Sequence, residues 1–191
     1  DMLTYDHQSV QSYISLLKEY NEHTNIYSKS AYQHLEFHVQ DSLLLSTLCQ
    51  KANRIVDMGS GSGLPSALLA IALPDTEVIA IESKSRKRKF LFHVKQSLNL
   101  SNYTIFEGDV QFFTSFNKER IDCVTAKAYK PPKDAWLDAK KVLSKSGNKS
   151  GALYIPVSKK QIKEVKALKK AKLLKRSIKT LDDPLYYACF T

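Results

Sequence analysis

Residues 54–65 carry the spacing with the most definite chemistry. They read Arg54-Ile55-Val56-Asp57-Met58-Gly59-Ser60-Gly61-Ser62-Gly63-Leu64-Pro65. An apolar run stops at an acid, three glycines alternate with small residues, and a proline opens a new apolar stretch. This order predicts a buried strand, a tight turn and the start of a helix. Glycine takes positive φ without strain and leaves no Cβ in the way of a ligand. Pro65 suits the first helical position, where its missing N–H is not needed. The N–H groups at that helix start would face whatever lies on the glycines. Such a loop suits a nucleotide-like ligand. A second acid, Glu82, ends the run Glu77-Val78-Ile79-Ala80-Ile81. An acid at that strand end can accept hydrogen bonds from both hydroxyls of a ribose. Gly108-Asp109-Val110-Gln111 follows a third apolar run. There an adenine could be read by backbone N–H groups and by Asp109, the alternative for Asp109 being a plain polar turn.

The spacing decides the class of ligand. A dinucleotide loop needs G-x-G-x-x-G, and position 64 is leucine. No G-x-x-x-x-G-K-[ST] occurs anywhere, which excludes a P-loop. The pattern D-x-G-x-G-x-G instead resembles motif I of the S-adenosylmethionine-dependent methyltransferases, so Asp57, Gly59, Ser60, Gly61 and Gly63 are expected around that cofactor, with Glu82 and Ser83 on its ribose. Asp57 is expected to accept hydrogen bonds from the loop N–H groups, or to reach the cofactor's amino-acid end through water.

These residues need a frame. The first fifty residues show helical periodicity, with Val10, Tyr13, Leu16, Leu17 and Tyr20 on one face and Leu35, Val39, Leu43, Leu44 and Leu48 on another. From residue 53 the pattern alternates: strands at 55–56, 77–81, 103–106, 121–125 and 152–155, and helices at 66–73, 85–98, 133–143 and 159–171. Two β-rich runs, 173–181 and 185–190, close the chain as a hairpin through Asp182-Asp183-Pro184. The expected class is α/β: a Rossmann-like, mostly parallel seven-stranded sheet covered by helices on both faces, with residues 1–52 as a helical N-terminal extension and 53–191 as the cofactor-binding core. Asp1, ahead of Met2, is set aside from this reasoning.

Of the 191 residues, 43% are hydrophobic, enough for one ordinary core. Lys and Arg number 29 against 19 Asp and Glu, a formal net charge of +10. This excess favours a polyanionic partner, because Lys and Arg gain affinity by releasing phosphate counterions. Lys84, Arg86, Lys87, Arg88 and Lys89 crowd one helix start, against the helix dipole; a phosphate-contact role explains them better than a solvated face. Ten further cations within residues 159–179, Lys163, Lys166, Lys169, Lys170, Lys172, Lys175 and Arg176 among them, fit either reading. Cys49, Cys123 and Cys189 are scattered, which argues against a disulfide framework or a zinc site and for free thiols in a reducing compartment. No metal is expected. No apolar run reaches the roughly 18 residues of a membrane span, and the start lacks a signal-peptide core. A cytoplasmic monomer is expected.

Acceptor chemistry leaves its own marks. Methylating an exocyclic amine uses [DN]-P-P-[YF] after the fourth strand. Here that stretch reads Thr125-Ala126-Lys127-Ala128-Tyr129-Lys130-Pro131-Pro132, without the leading Asn or Asp. Methylating a pyrimidine carbon needs a nucleophilic cysteine, and Cys123 falls inside a strand. A ring nitrogen with a free lone pair, such as guanine N7, needs only alignment with the sulfonium methyl, which is catalysis by proximity and orientation.

Across about residues 25–154 the chain resembles the RsmG/GidB family, bacterial methyltransferases that make 7-methylguanosine in 16S ribosomal RNA. The stretch from Asp57 to Pro65 is similar to the family's D-[IV]-G-[ST]-G-x-G-L-P, His38-Val39-Gln40-Asp41-Ser42-Leu43 to its H-[IV]-x-D-S-L, and Asn25-Ile26-Tyr27 stands at its N-L-T. Glu82-Ser83 with Arg86 to Leu91 resembles D-S-x-x-K-R-x-x-F-L. The resemblance implies that Gly59 and Leu64 bind the cofactor, that Val110 and Gln111 flank its adenine, and that Lys127 stands at the S-R-A arginine, close to cofactor and substrate, as the expected catalytic residue; His38 either joins the cations on RNA or, with Asp41, links the N-terminal helices to the core. Departures are Lys127 for arginine, which loses the planar fork, Phe37 for the arginine before the histidine, Ser66 for glycine, and Tyr154-Ile155-Pro156-Val157-Ser158 without the usual Lys-Gly. The expected activity is methyl transfer from S-adenosylmethionine to guanine N7 of 16S rRNA, free or in the 30S subunit. The alternatives are methylation of a small molecule or protein, and a non-catalytic RNA-binding protein with a decayed cofactor site.

Overall fold

A computed structural model describes residues 4–176 and 185–191. Among these residues seven strands form one sheet: β1 (Arg54–Met58), β2 (Glu77–Glu82), β3 (Tyr103–Glu107), β4 (Cys123–Ala126), β5 (Ala152–Val157), β6 (Ala171–Arg176) and β7 (Leu185–Phe190). Their order is β3-β2-β1-β4-β5-β7-β6. The first five are parallel, and β7 runs antiparallel between β5 and β6. The chain steps outward through β2 and β3, then returns to place β4 against the other side of β1. The carboxyl ends of β1 and β4 are therefore the switch point, where open α/β sheets bind ligands.

Successive strand residues face opposite sides of the sheet, and two cores result. Ile55, Val78, Ala80 and Tyr103 pack with α1 (His7–Asn21), α2 (Leu35–Leu48), α3 (Ser66–Ala72) and α4 (Ser85–Ser97). Val56, Met58, Ile79, Ile81 and Val124 pack with α5 (Val110–Phe116), α6 (Pro132–Lys145) and α7 (Lys159–Lys166). Every residue of α3 is buried, because α1 and α2 cover the side that the sheet does not. A helix apolar all round is stable only when enclosed in this way.

Several boundaries differ from the sequence reading. Pro65 is not the first helical residue: it caps α3 after a cis Leu64–Pro65 bond, and the helix starts at Ser66. The stretch after Gly108 is not only a turn. Asp109 caps α5, its Oδ1 accepting the Phe112 N–H at 2.7 Å. The lysine-rich helix expected to residue 171 stops at Lys166, since Ala171 pairs with Phe190 in the sheet and ladder bonding there overrides helical propensity. On α2, Leu48 is exposed, while Asp41, Ser42 and Ser46 are buried. The serine hydroxyls donate back to the carbonyls of His38 and Leu43, which removes the penalty of burying them. The Asp182-Asp183-Pro184 turn lies outside the described residues. Cys49 and Cys123 are not scattered: their sulfurs lie 3.3 Å apart as free thiols. No helix among the described residues is long and apolar enough to cross a membrane, and no group of three metal-ligating side chains occurs there.

One buried contact joins the start of the chain to its last strand. The Tyr187 hydroxyl donates to Asp41, 2.5 Å from Oδ1 and 2.6 Å from the backbone carbonyl. Both residues are buried. Tyr187→Phe removes that donor from a buried carboxylate, and should destabilise the fold by about 1–3 kcal/mol, read as a lower urea midpoint at unchanged m-value.

Candidate functional site

At the switch point the strand ends open into a cavity of about 500 Å3, within the roughly 300–1,000 Å3 usual for small-molecule sites. Each strand end contributes. The β1 loop gives Gly59 and Gly61, the β2 end gives Ile81, Glu82, Ser83 and Lys84, and Lys87 follows from α4. Gly108, Asp109, Val110 and Gln111 come from the β3 end, and Ala128, Tyr129 and Lys130 from the β4 end.

The glycine loop is held from three sides. The N–H groups of Gly59 and Ser60 both donate to the Ile81 carbonyl at 3.0 Å. The Gly61 N–H donates to Glu82 Oε1 at 2.8 Å, and the Lys84 N–H to Oε2 at 2.9 Å. From below, the buried Tyr13 hydroxyl donates to the Ser62 carbonyl at 2.6 Å. Glycine is required at two of these positions. Gly59, at φ +70°, lies under the Tyr129 ring, which a Cβ would meet at 2.9 Å. Gly63, at φ +93°, faces Ala67 and Leu91, which a Cβ would meet at 3.1 and 3.2 Å.

Glu82 is buried at the cavity wall. Each carboxylate oxygen takes one backbone N–H and keeps capacity for a second donor. Two neighbouring hydroxyls can each donate to one oxygen, the contact a ribose diol makes. Asp109 spends Oδ1 on its helix cap, and the α5 start with Val110 and Gln111 closes the opposite wall. Tyr129 sends its hydroxyl proton to Asp138 Oδ2 at 2.8 Å, and the Lys130 ammonium donates to the same oxygen at 2.8 Å. Burial and this carboxylate push the phenol well above its ordinary pKa, so it stays a donor.

The structure thus brings together Gly59, Gly61, Glu82, Ser83, Lys84, Lys87, Asp109, Val110 and Gln111 around one cavity. Asp57, Ser60, Gly63, Leu64, Lys127 and His38 do not line it. Asp57 accepts no loop N–H. The hydroxyls of Ser60 and Thr125 donate to its two oxygens, both at 2.8 Å. Burial pushes its carboxyl up to about 6, against the lowering effect of those hydroxyls and of the Lys127 charge, with Glu82 raising it further. Lys127 thus acts on Asp57 through its charge and is not in the cavity lining. Arg88 is committed within the protein: its guanidinium donates to the carbonyls of Glu82 and Ser83 at 2.8 and 2.6 Å and to Glu107 at 3.2 Å. Lys84, Arg86 and Lys89 are exposed. Sequence reasoning missed Tyr13 and Tyr129 here. Tyr129 stands in the sequence only within the stretch compared with the amine-methylation motif, and nothing local marks Tyr13, which comes from the first helix.

Residues 6–182 match the GidB family, described as rRNA small subunit methyltransferase G. The ribosomal RNA small subunit methyltransferase G of Nitrosococcus oceani is 33% identical over 119 residues, which is 62% of this chain and 54% of that protein. The one from Acholeplasma laidlawii is 36% identical over 120 residues, 61% of this chain and 52% of that protein. The chain spans about half the length of the curated relatives it matches. Among solved structures, an O-methyltransferase from Bacillus cereus in complex with SAH superposes with a TM-score of 0.65 at 15% identity, covering 100% of this chain and 94% of that one. That likeness is one of fold.

The buried Asp57 makes stability depend on pH. Its carboxyl is raised from 3.8 to about 6 in the folded chain, so the folded state binds the proton more tightly and stability falls as pH rises between those values. The full loss is on the order of 3 kcal/mol. Asp57→Asn should flatten the fall, measured as calorimetric Tm across pH 4 to 7, and parallel Tm curves for the two proteins would refute this assignment.

Proposed function

The chain belongs to the GidB family, and from that premise we propose that it transfers the methyl group of S-adenosylmethionine to guanine N7 of 16S ribosomal RNA, free or in the 30S subunit. One observation carries the reading: the glycine loop, Glu82 and the β3 end share one cavity at the switch point of the sheet. In this reading residues 1–52 serve as a helical extension on the core formed by 53–191, and the protein works as a cytoplasmic monomer.

S-adenosylmethionine supplies an electrophilic methyl on a sulfonium sulfur. The chain's own part is to bind and align. Glu82 accepts from the ribose hydroxyls, and Ser83 lies beside it. Val110 and Gln111 hold the adenine edge. Gly59 and Gly61 let the cofactor lie against bare backbone. Tyr129, locked by Asp138 and seated on Gly59, forms the wall past which an acceptor base must enter. Lys127 keeps Asp57 and the loop beneath it in place. Guanine N7 carries its own lone pair, so no side chain has to remove a proton; alignment does the work.

Incubation with methyl-labelled S-adenosylmethionine and either 30S subunits or naked 16S rRNA should label one guanine at N7; label on another atom, or none, would reject the proposal. Glu82→Gln should weaken cofactor binding about tenfold or more, the loss of a hydrogen bond to a charged group, in a calorimetric titration.

A further inference from the structure

A second opening adjoins the cavity, and Lys87 stands in the wall of both. It measures about 680 Å3 and opens to solvent. Its walls are the first turn of α4, through Arg86 and Lys87, and the turn that follows α1, through residues 25–30. The two openings differ in charge. The first carries the carboxylates of Glu82 and Asp109 among its cations. The second has Lys29, Arg86 and Lys87 in its lining and no carboxylate there, with Glu22 beside it as the exposed partner of Lys29. That balance favours an anionic occupant.

The turn is built, not loose. Asn21, the buried last residue of α1, spends its whole side chain on it. Its Nδ2 donates to the Tyr27 carbonyl and to the Tyr32 hydroxyl, both at 2.8 Å. Its Oδ1 accepts the N–H groups of Ile26 at 2.9 Å and Tyr27 at 3.0 Å. That uses both donors and both lone pairs of the amide. Ile26 is anchored in the core. The outward residues, Ser28, Lys29 and Ser30, are thus held in a fixed place beside Arg86. Lys29 pairs with Glu22 at 3.4 Å, with both side chains about 60% exposed; such a pair is weak and a phosphate can displace it.

We propose that this opening is a phosphate cleft for the acceptor RNA. Lys29, Arg86 and Lys87 grip the backbone of a single strand beside the nucleotide whose base enters the first cavity. Lys87, common to both walls, sets the distance between phosphate and base. The inference deepens the methyltransferase reading and rests on it for the identity of the polyanion. Arg88, though in the same basic run, takes no part because its guanidinium is spent on Glu82, Ser83 and Glu107.

The test is binding of a short mixed-sequence single-stranded RNA by the full chain across a salt series. Lys29→Ala should lower the magnitude of the log–log salt slope by about 0.7, one phosphate contact on a single strand. Lys29→Arg should keep the parent slope. Lys149→Ala, an exposed lysine elsewhere, is the control. S-adenosylmethionine titrations should be the same for parent and Lys29→Ala. A slope for Lys29→Ala equal to the Lys149→Ala slope overturns the cleft, as does Lys29-dependent binding of polyglutamate in preference to RNA. RNA binding with the expected slopes but no methyl transfer by the parent overturns the enzymatic reading and leaves the cleft standing.

Discussion

A buried glutamate taking two backbone N–H groups is the contact on which the site depends. Glu82 lies at the end of β2, and its oxygens hold Gly61 from one strand end and Lys84 from the next. Placing a carboxylate at low exposure is unfavourable unless its oxygens meet donors, and charge-assisted bonds to amides are among the stronger ones. The same two bonds set the shape of the glycine loop and the start of α4. Without that acceptor the Gly61 N–H would lose its partner, and a loop with three positive-φ glycines has many other conformations open to it.

The loop is secured from the opposite side by a segment far away in sequence. Tyr13 reaches Ser62 from α1, and its ring lies against the space a Gly63 side chain would fill. Helices α1 and α2 therefore do more than cover α3. They fix the rear of the loop through Tyr13, and they tie to β7 through Asp41 and Tyr187. The N-terminal helices, the glycine loop and β7 share one continuous core.

Local chemistry was legible in the sequence where a residue's neighbours in the chain are also its neighbours in space. The β1 strand with its glycine loop, β2 ending in Glu82, and α4 read correctly, because apolar period and glycine spacing are local signals, whereas Pro65 caps α3 and does not open it. Most failures were nonlocal. The α2 face was misjudged since Asp41 and Ser46 are buried against elements that the helix pattern cannot reveal. The helix at 159–171 was read too long because Ala171 belongs to a ladder with Phe190. Asp57 was given loop amides as partners, whereas its hydroxyl partner Thr125 comes from β4, one strand over. The small helix α5 was passed over although Asp109, Val110 and Phe113 spell a cap and a buried face.

The basic run at the start of α4 shows how one sequence feature divides into separate physical roles. Cations in a first helical turn oppose the dipole, at a few tenths of a kcal/mol to about 1 each when exposed. Arg88 offsets this by turning its guanidinium back onto the carbonyls that end β2, where acceptors point outward and need donors. Lys87 turns to the cavities, its Nζ 3.9 Å from where a Gly61 Cβ would stand. Arg86 faces the Asn21-held turn. Lys84 lines the first cavity and gives its N–H to Glu82, and Lys89 is exposed surface charge. A stretch that composition presents as one patch is therefore a strand-end clamp, a cavity wall and a cleft wall in succession, and the 3.6-residue helical period is what separates them.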